Sequence, residues 1–346
     1  MPFSRVRLLV AGYPELAAVL AAVALGLTVQ PPLAWLAARQ GIGVLLAVLV
    51  FATAVTIEPA ALRRLAAARR LLLAALAVGI TVLPALSWAV SLMVAAGPLR
   101  DGIMVMGLAP CEIASVATTA MAGGEAAVSA GVLIGSTVLA VAAAGSVLAL
   151  EAGHAGHIGH AGHAGLRPGH IIAGLALVVA VPLSAGLALC ARGPLPAPVG
   201  KAASAAALAS VAALVALIAA EVHLSARYFG VAAAIAVFLA GSVLAGSFLG
   251  SSFLADRLAD ARTRRPAAIA VLLTTSMRDF AIAAGLAAAA FGPAAAAPLG
   301  LYGVGVMIWG TTAAGLLRRR GRTSTRSPSL PAEKTEAPGP RDCLAA

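Results

Sequence analysis

The sequence predicts an all-α integral membrane protein with ten transmembrane helices arranged as two inverted five-helix halves. Hydrophobic residues make up 61% of the 346-residue chain and charged residues only 11%, a composition that a soluble domain of this size cannot keep dispersed. The apolar residues fall into ten long segments, and the basic residues lie between these segments on alternate sides. These observations predict membrane helices and their orientation.

The ten apolar segments mostly have the roughly 20 residues that a helix needs to cross a bilayer. The first segment follows Arg5 and Arg7, but it is longer than the apolar part of a signal peptide and is therefore predicted to be retained. The segments lie at 8–29, 41–57, 71–95, 102–122, 126–150, 170–191, 202–220, 228–250, 266–291 and 295–317.

The distribution of basic residues predicts a multi-pass protein of the cell (inner) membrane with both termini in the cytoplasm. With this orientation 16 basic residues lie inside and 4 outside, as the positive-inside rule requires. The inside residues are Arg5, Arg7, Arg63, Arg64, Arg69, Arg70, Arg192, Lys201, Arg257, Arg262, Arg264, Arg265, Arg318, Arg319, Arg320 and Arg322, and the outside residues are Arg39, Arg100, Arg167 and Arg227. The net charge of +11 thus reflects topology, and no nucleic-acid partner is expected.

Residues 1–320 are predicted to form one membrane transporter domain, with repeats at about 8–150 and 170–317. Residues 151–169 are predicted to be an external loop, and residues 321–346 a disordered cytoplasmic tail, because the tail is rich in Pro, Ser, Thr and charge. The loop repeats histidine at every third position (His154, His157, His160 and His163). This pattern suits a solvated low-complexity linker, with weak metal binding as the alternative.

Two of the apolar segments are interrupted by charge at their middles. The first, GLAPCEIASV, places Glu112 directly after Pro110 and Cys111, and the second, LLTTSMRDF, contains Arg278 and Asp279. A charged residue at the middle of a membrane helix costs roughly 2.5–3.5 kcal/mol on insertion scales. Two such interruptions at corresponding places in the two halves therefore predict a polar site inside the bilayer.

The proline in the first interruption predicts a break in the helix, because proline removes a backbone donor and clashes with the preceding turn. The helix that restarts near Ile113 offers free amides and a positive dipole end to an anion. Hydroxyl side chains flank both interruptions and are predicted to line the path: Ser115, Thr118, Ser129, Thr274, Thr275 and Ser276. The alternative is that Glu112 and Arg278 form a purely structural ion pair.

The chain contains no Cys-x-x-Cys pair, no phosphate-binding glycine loop and no Ser-x-x-Lys motif, so an enzyme is not predicted. The polar site instead predicts a secondary active carrier of a small organic anion, in which Arg278 attracts the negative group. No cofactor or bound metal is expected, and the protein is predicted to be a monomer or weak homodimer in the lipid bilayer. A channel or a structural membrane protein is the less favoured alternative.

At these residues the chain resembles the bile acid:sodium symporter family. The stretch GLAPCEIASV, followed by GGEAAVSAGVLIGSTVL, resembles its fourth and fifth helices, and SMRDFAIAAGLAAAAFGPAAAAPLGLYGVGVMIWG resembles its ninth and tenth. The resemblance runs from about Leu8 to Leu317. It implies a panel formed by the first, second, sixth and seventh helices and a core formed by the others. It also implies that helices 4 and 9 are broken and cross near the site.

The resemblance carries over the family's sodium ligands only in part. Ser115 and Ser129 remain, but five other ligand positions carry residues that differ from the family's: Gly79, Val116, Leu133, Thr274 and Arg278. A guanidinium group has no acceptor with which to bind a cation. We therefore expect Arg278 to replace one sodium ion, which leaves a weak Na⁺ site or proton coupling through Glu112 or Asp279.

The related arsenite exporters supply the alternative function, an efflux carrier for arsenite or another metalloid. They too have a cysteine just after the break in the fourth helix, where Cys111 lies. A thiolate suits a soft metalloid. Cys111 is equally well interpreted as a small apolar core residue.

Overall fold

The computed structural model describes residues 14–36, 41–55, 69–155, 176–193, 196–220, 227–253 and 261–324. Within these ranges the regular secondary structure is helical apart from one isolated β-bridge. The α-helices are α1 (Pro14–Thr28), α2 (Gln30–Leu36), α3 (Ile42–Val55), α4 (Arg69–Ile80), α5 (Val82–Ser91), α6 (Pro98–Met106), α7 (Ala114–Met121), α8 (Ala126–Ala155), α9 (Val181–Ala191), α10 (Ala197–Ala220), α11 (Arg227–Phe248), α12 (Ala261–Ser276), α13 (Phe280–Phe291) and α14 (Ala297–Ser324). Short π-helical turns at Ala176–Ala180 and Leu249–Phe253 and a 3₁₀ turn at Pro293–Ala296 adjoin them.

The prediction of an all-helical membrane protein is confirmed. Helices occupy each of the ten predicted segments. Among the described residues, four helical stretches are long and apolar enough to cross a bilayer: Arg69–Ser91, Pro198–Leu217, Tyr228–Ser251 and Ala294–Arg320. Ten crossings and the inversion of the two halves remain predictions.

Two helices extend further than the sequence analysis placed them. Helix α8 continues to Ala155 and α14 to Ser324, so residues 151–155 and 321–324 are helical. The turns just before these extensions, SVLAL in α8 and AAGLLRRR in α14, are rich in Ala, Leu and Arg, which have high helix propensity, and the helices therefore continue beyond their apolar segments. His154 lies in α8, while the other repeated histidines and the tail from residue 325 lie outside the described residues.

The helices pack as two groups. Helices α1, α3, α9 and α10 pack mainly on one another, and α4–α8 pack with α11–α14. Contacts between the groups are fewer and run chiefly from α1, α3 and α10 to α13 and α14. The first group contains the first, second, sixth and seventh predicted segments. This is the grouping that the resemblance implies for a panel and a core.

Both charged interruptions break their helices, as predicted. Helix α6 ends at Met106 and α7 begins at Ala114, while α12 ends at Ser276 and α13 begins at Phe280. The second half-helix of each pair ends close to a glycine with positive φ, Gly123 at 77° and Gly292 at 89°. Residues with a side chain rarely adopt this conformation, so glycine suits both positions.

Close backbone approach joins α1 to α10 within the first group. A Cβ atom at Gly26 would collide with the Ala216 carbonyl oxygen and would lie 2.6 Å from the Ala219 Cβ. Small residues at helix contacts allow such approach in lipid, where packing replaces the hydrophobic effect as the driving force. The absence of a side chain at Gly26 is therefore a requirement of this contact.

Replacing Gly26 by alanine is expected to destabilise the protein by about 1–3 kcal/mol, because the added methyl group overpacks the contact between α1 and α10. The measurement is the thermal unfolding of purified protein in detergent micelles. Gly305→Ala in α14 is the matched control, since a Cβ atom there meets no other atom within 4 Å. Equal melting temperatures for the two variants would contradict the close packing.

Candidate functional site

The two breaks are joined through their main chains. Cys111 in the first break and Arg278 in the second pair as an antiparallel β-bridge. Two hydrogen bonds flank this pair, from Glu112 N to the Met277 carbonyl (2.8 Å) and from Asp279 N to the Pro110 carbonyl (2.9 Å). A backbone group without a partner costs several kcal/mol in lipid. The backbone groups of each break therefore find hydrogen-bond partners in the other break.

Hydroxyl groups support the two amides at the centre of the bridge. Cys111 N donates to Ser136 Oγ at 3.0 Å, and Arg278 N donates to the Tyr302 hydroxyl at 3.0 Å. Ser136 follows Cys111 by 25 residues and Tyr302 follows Arg278 by 24, each on the long helix after its break. The two halves thus support their breaks in the same way.

The bridge separates the charged side chains onto two faces. Successive side chains of an extended segment point to opposite faces. Cys111 and Arg278 therefore share one face, and Glu112 and Asp279 share the other. No ion pair joins Arg278 to either carboxylate in the described part of the chain. The structural Glu112–Arg278 pair considered in the sequence analysis is therefore not formed.

The guanidinium group of Arg278 is buried, with the residue 4% exposed. Its Nη2 donates to the carbonyl oxygens of Gly79 (3.3 Å) and Gly107 (3.4 Å). Gly107 caps the C-terminus of α6, where the helix dipole favours a cation. The Nε atom is buried without a hydrogen-bond partner. Arg278 is therefore anchored at one end and keeps a free donor.

A cavity of about 110 Å³ lies beside Arg278. Its polar lining consists of Arg278, Thr274, Thr275 and Ser136, and the remaining lining is apolar and comes mainly from α4 and α8. The Thr275 hydroxyl is buried and, like Arg278 Nε, has no partner. Two residues that line the cavity, the cationic Arg278 and Thr275, thus each have an unpartnered buried polar atom, and the other walls are largely hydrocarbon.

The opposite face of the bridge is acidic. Glu112 is 2% exposed and Asp279 is 1% exposed. Asp279 Oδ1 accepts a hydrogen bond from Ile282 N at 2.8 Å and so caps α13. Main-chain amides beside Glu112, including that of Ile113, face its carboxyl group. The helix end that the sequence analysis assigned to an anionic substrate thus faces the chain's own carboxyl group.

Four predicted hydroxyl residues are buried but do not line the described cavity: Ser115, Thr118, Ser129 and Ser276. Their hydroxyl groups lie within reach of partners in the protein. Ser115 Oγ lies 3.7 Å from Cys111 Sγ, Thr118 donates to the Ala114 carbonyl, Thr119 donates to Ser129 Oγ, and Trp309 Nε1 donates to Ser276 Oγ. Of the predicted hydroxyl residues, only Thr274 and Thr275 line the cavity with Arg278.

Cys111 is fully buried and packs in an apolar cluster with Leu71, Val128 and Val132. It does not line the described cavity. Its surroundings are those of a small apolar core residue. Pro110 contributes its carbonyl oxygen to the bridge.

Two residues of the site, Ser136 and Tyr302, were not identified from the sequence. Both are polar side chains within apolar segments, and that signal was available. Gly79 was noted only as a changed sodium-ligand position, and its contribution here is the carbonyl oxygen that accepts from Arg278 Nη2.

Ser136→Ala and Tyr302→Phe are each expected to destabilise the protein by about 1–3 kcal/mol, since each leaves a buried amide of the bridge without an acceptor. Thermal unfolding of the purified variants measures the effect. Ser184→Ala is the control, because the Ser184 hydroxyl donates only within its own helix, to Val181. Losses no larger than that of the control would show that these hydroxyl groups do not support the breaks.

Comparison with known proteins identifies the family. No curated protein sequence matches the chain. The family model for the sodium bile acid symporter family matches residues 43–232, which is more than half of the chain and includes the first break. Arg278 and Asp279 lie beyond the matched range. The chain is therefore a multi-pass membrane protein that belongs to the sodium bile acid symporter family, a family of solute transporters.

Proposed function

We propose that the protein is a secondary active carrier of a small organic anion and that the Arg278 guanidinium group occupies the place of one coupling sodium ion. One observation carries the proposal, namely that Arg278 and Thr275 line one cavity and that each has a buried polar atom, Nε and the hydroxyl, without a hydrogen-bond partner. Unpaired buried polar groups are costly. An anion that accepts from both would satisfy them in a charge-assisted interaction.

The size of the cavity favours a short anion. A cavity of about 150 Å³ holds one benzene molecule. The cavity beside Arg278, at about 110 Å³, accommodates an anion of about five heavy atoms, such as methanesulfonate or pyruvate, in this conformation. A steroid acid is too large for it. The apolar walls from α4 and α8 would contact the hydrocarbon part of the anion.

The surroundings of Arg278 argue against a sodium ion at the same place. Sodium needs oxygen acceptors, and the carbonyls of Gly79 and Gly107 already accept from Nη2. The guanidinium group itself offers only donors. A fixed positive charge in this position supplies the attraction that a bound cation would otherwise give to the substrate. The carrier then requires no sodium ion at this place.

Arsenite efflux through Cys111 has less support. The thiol packs among apolar side chains and does not line the described cavity. No feature of its surroundings indicates a metalloid ligand set, since the described residues contain no group of three or more His, Cys, Asp or Glu side chains that could hold a metal ion. Arsenite therefore serves as the comparison compound in the experiment below.

Methanesulfonate or pyruvate is expected to raise the melting temperature of the purified protein in sodium-free choline buffer, because ligand binding to the folded state stabilises it. Arg278→Gln should abolish this shift, since the neutral side chain cannot offer a charge-assisted bond. Thermal unfolding with each anion, cholate and arsenite measures the shifts.

The matched control for Arg278→Gln is Arg318→Gln, which removes an exposed arginine from the end of α14. This variant should keep the full stabilisation by the small anions. An unchanged shift in Arg278→Gln would remove Arg278 from the site. A shift that requires sodium would contradict its replacement of the ion, and stabilisation by arsenite alone would favour the metalloid carrier.

We further propose that both termini are cytoplasmic. Cys111 and Cys190 are buried, and Cys343, the third cysteine of the sequence, is the position chosen for labelling. In intact cells a membrane-impermeant maleimide is expected to label Cys343 only after permeabilisation. In a Cys343→Ser background, His163→Cys should be labelled in intact cells. Labelling of Cys343 from outside would reverse the proposed topology.

A further inference from the structure

The acidic face of the bridge is not used by the proposed anion site, and it contains two more unpartnered buried atoms. Glu112 Oε2 and Asp279 Oδ2 have no hydrogen-bond partner in the structure. Both carboxyl groups are nearly inaccessible, with their residues 2% and 1% exposed. A buried carboxylate oxygen without a donor is costly. Two such oxygens on one face suit a ligand that donates to both.

We propose that Glu112 and Asp279 bind one exchangeable proton between Oε2 and Oδ2, and that this proton is the coupling ion of the carrier. The inference rests on the proposed function for its role in transport. The proton site itself is a separate structural claim.

The register of the bridge places the two carboxyl residues on one face as diagonal neighbours, with Glu112 opposite Met277 and Asp279 opposite Pro110, a spacing that long side chains can reach across. Glu112 and Asp279 each follow one member of the Cys111–Arg278 pair, so their side chains leave the ribbon on the same face. The carboxyl groups are close enough to interact through their charges. Two adjacent carboxylates in a low-dielectric region repel each other strongly, and a shared proton removes that repulsion.

The surroundings favour a proton over a metal cation. The other contacts of these carboxyl groups are main-chain donors, with Ile282 N bonded to Asp279 Oδ1 and the amides of Ala114 and Phe280 beside Glu112. Amide hydrogens repel a metal ion and supply none of the oxygen ligands that it requires. A proton needs only the two free oxygens and completes an O–H···O hydrogen bond between them.

The charged and titratable groups that interact with the pair through their charges come from three elements. Arg278 in the second break and Cys111 in the first break lie on the opposite face of the bridge, and Tyr302 lies in α14. Arg278 directs its guanidinium group to Gly79 and Gly107, and the Tyr302 hydroxyl accepts from Arg278 N. The described residues form no ion pair with either carboxyl group, so both unpartnered oxygens remain available to a proton.

Charge balance links this proton to the anion site. With one guanidinium group and two carboxylates, the empty site has a formal charge of −1. Binding of one proton together with one monovalent anion leaves this charge at −1, whereas binding of the anion alone would make it −2. Uncompensated charge inside the bilayer is costly. The proton is taken from water on one side as a carboxylate becomes a carboxyl group, and it is released as carboxylate re-forms facing the other side.

Infrared difference spectroscopy tests the proton site in the full-length protein, reconstituted in lipid vesicles without sodium and without any organic anion. The expected result is a C=O stretching band of one buried, protonated carboxyl group that disappears as the pH is raised and shifts in D₂O. Glu112→Gln and Asp279→Asn are each expected to shift the frequency of this band and the pH at which it disappears, because each variant removes one of the two oxygens that share the proton and with it the repulsion between the two carboxylates.

Glu125→Gln is the matched control, since Glu125 is an exposed carboxyl group just after α7, the helix that follows Glu112. This variant should keep the full band. Replacing choline by sodium should leave the wild-type band unchanged. A band of unchanged frequency and unchanged pH dependence in both Glu112→Gln and Asp279→Asn would overturn the proposal, as would its loss on adding sodium. Where a variant fails to fold, the wild-type protein decides, because a missing titratable band also overturns it. Failure here leaves the Arg278 anion site standing, since thermal stabilisation tests that site separately.

Discussion

The main-chain bridge between the two broken segments is the interaction on which the rest of the structure depends. A helix break inside a bilayer exposes backbone donors and acceptors to hydrocarbon, which costs several kcal/mol for each unsatisfied group. Here the main-chain amides of Glu112 and Asp279 donate across the crossing. The hydroxyl groups of Ser136 and Tyr302 accept from the amides of Cys111 and Arg278. Each break is tolerable because the other lies against it.

The bridge also determines where charge lies. Alternation along an extended chain sends Arg278 toward the cavity and sends Glu112 and Asp279 to the opposite face. A cation and two carboxyl groups can therefore lie close together without neutralising one another in an ion pair. Each group keeps an unpartnered polar atom, at Nε, Oε2 or Oδ2. A hydrogen bond from a ligand to one of these atoms contributes the most binding free energy, because the atom has no other partner. An anion site and a proton site can thus occupy the two faces of one crossing.

Much of the fold was predictable because its causes are local. The length of each apolar segment and the charge of each loop are properties of short stretches, and they predicted the helical segments. Pro110 predicted the first break, and the neighbouring residues Arg278 and Asp279 predicted the second. The pairing of side chains was not predictable, because it depends on the register between segments more than 150 residues apart in sequence. That register separates Glu112 from Arg278 and places Gly79 beside the guanidinium group. The hydroxyl residues near the first break then bond locally and lie outside the cavity.

Disulfide cross-linking tests the bridge most directly. Opposed residues in a non-hydrogen-bonded antiparallel pair have Cα atoms about 4.5 Å apart, within the range that a disulfide spans. In a Cys343→Ser background, Arg278→Cys is expected to form a disulfide with Cys111 under mild oxidation, detected by mass spectrometry of a non-reduced digest. Met277→Cys, whose side chain leaves on the other face, should not form it. Efficient cross-linking of Met277→Cys, or none of Arg278→Cys in folded protein, would contradict the crossing and the separation of charge that follows from it.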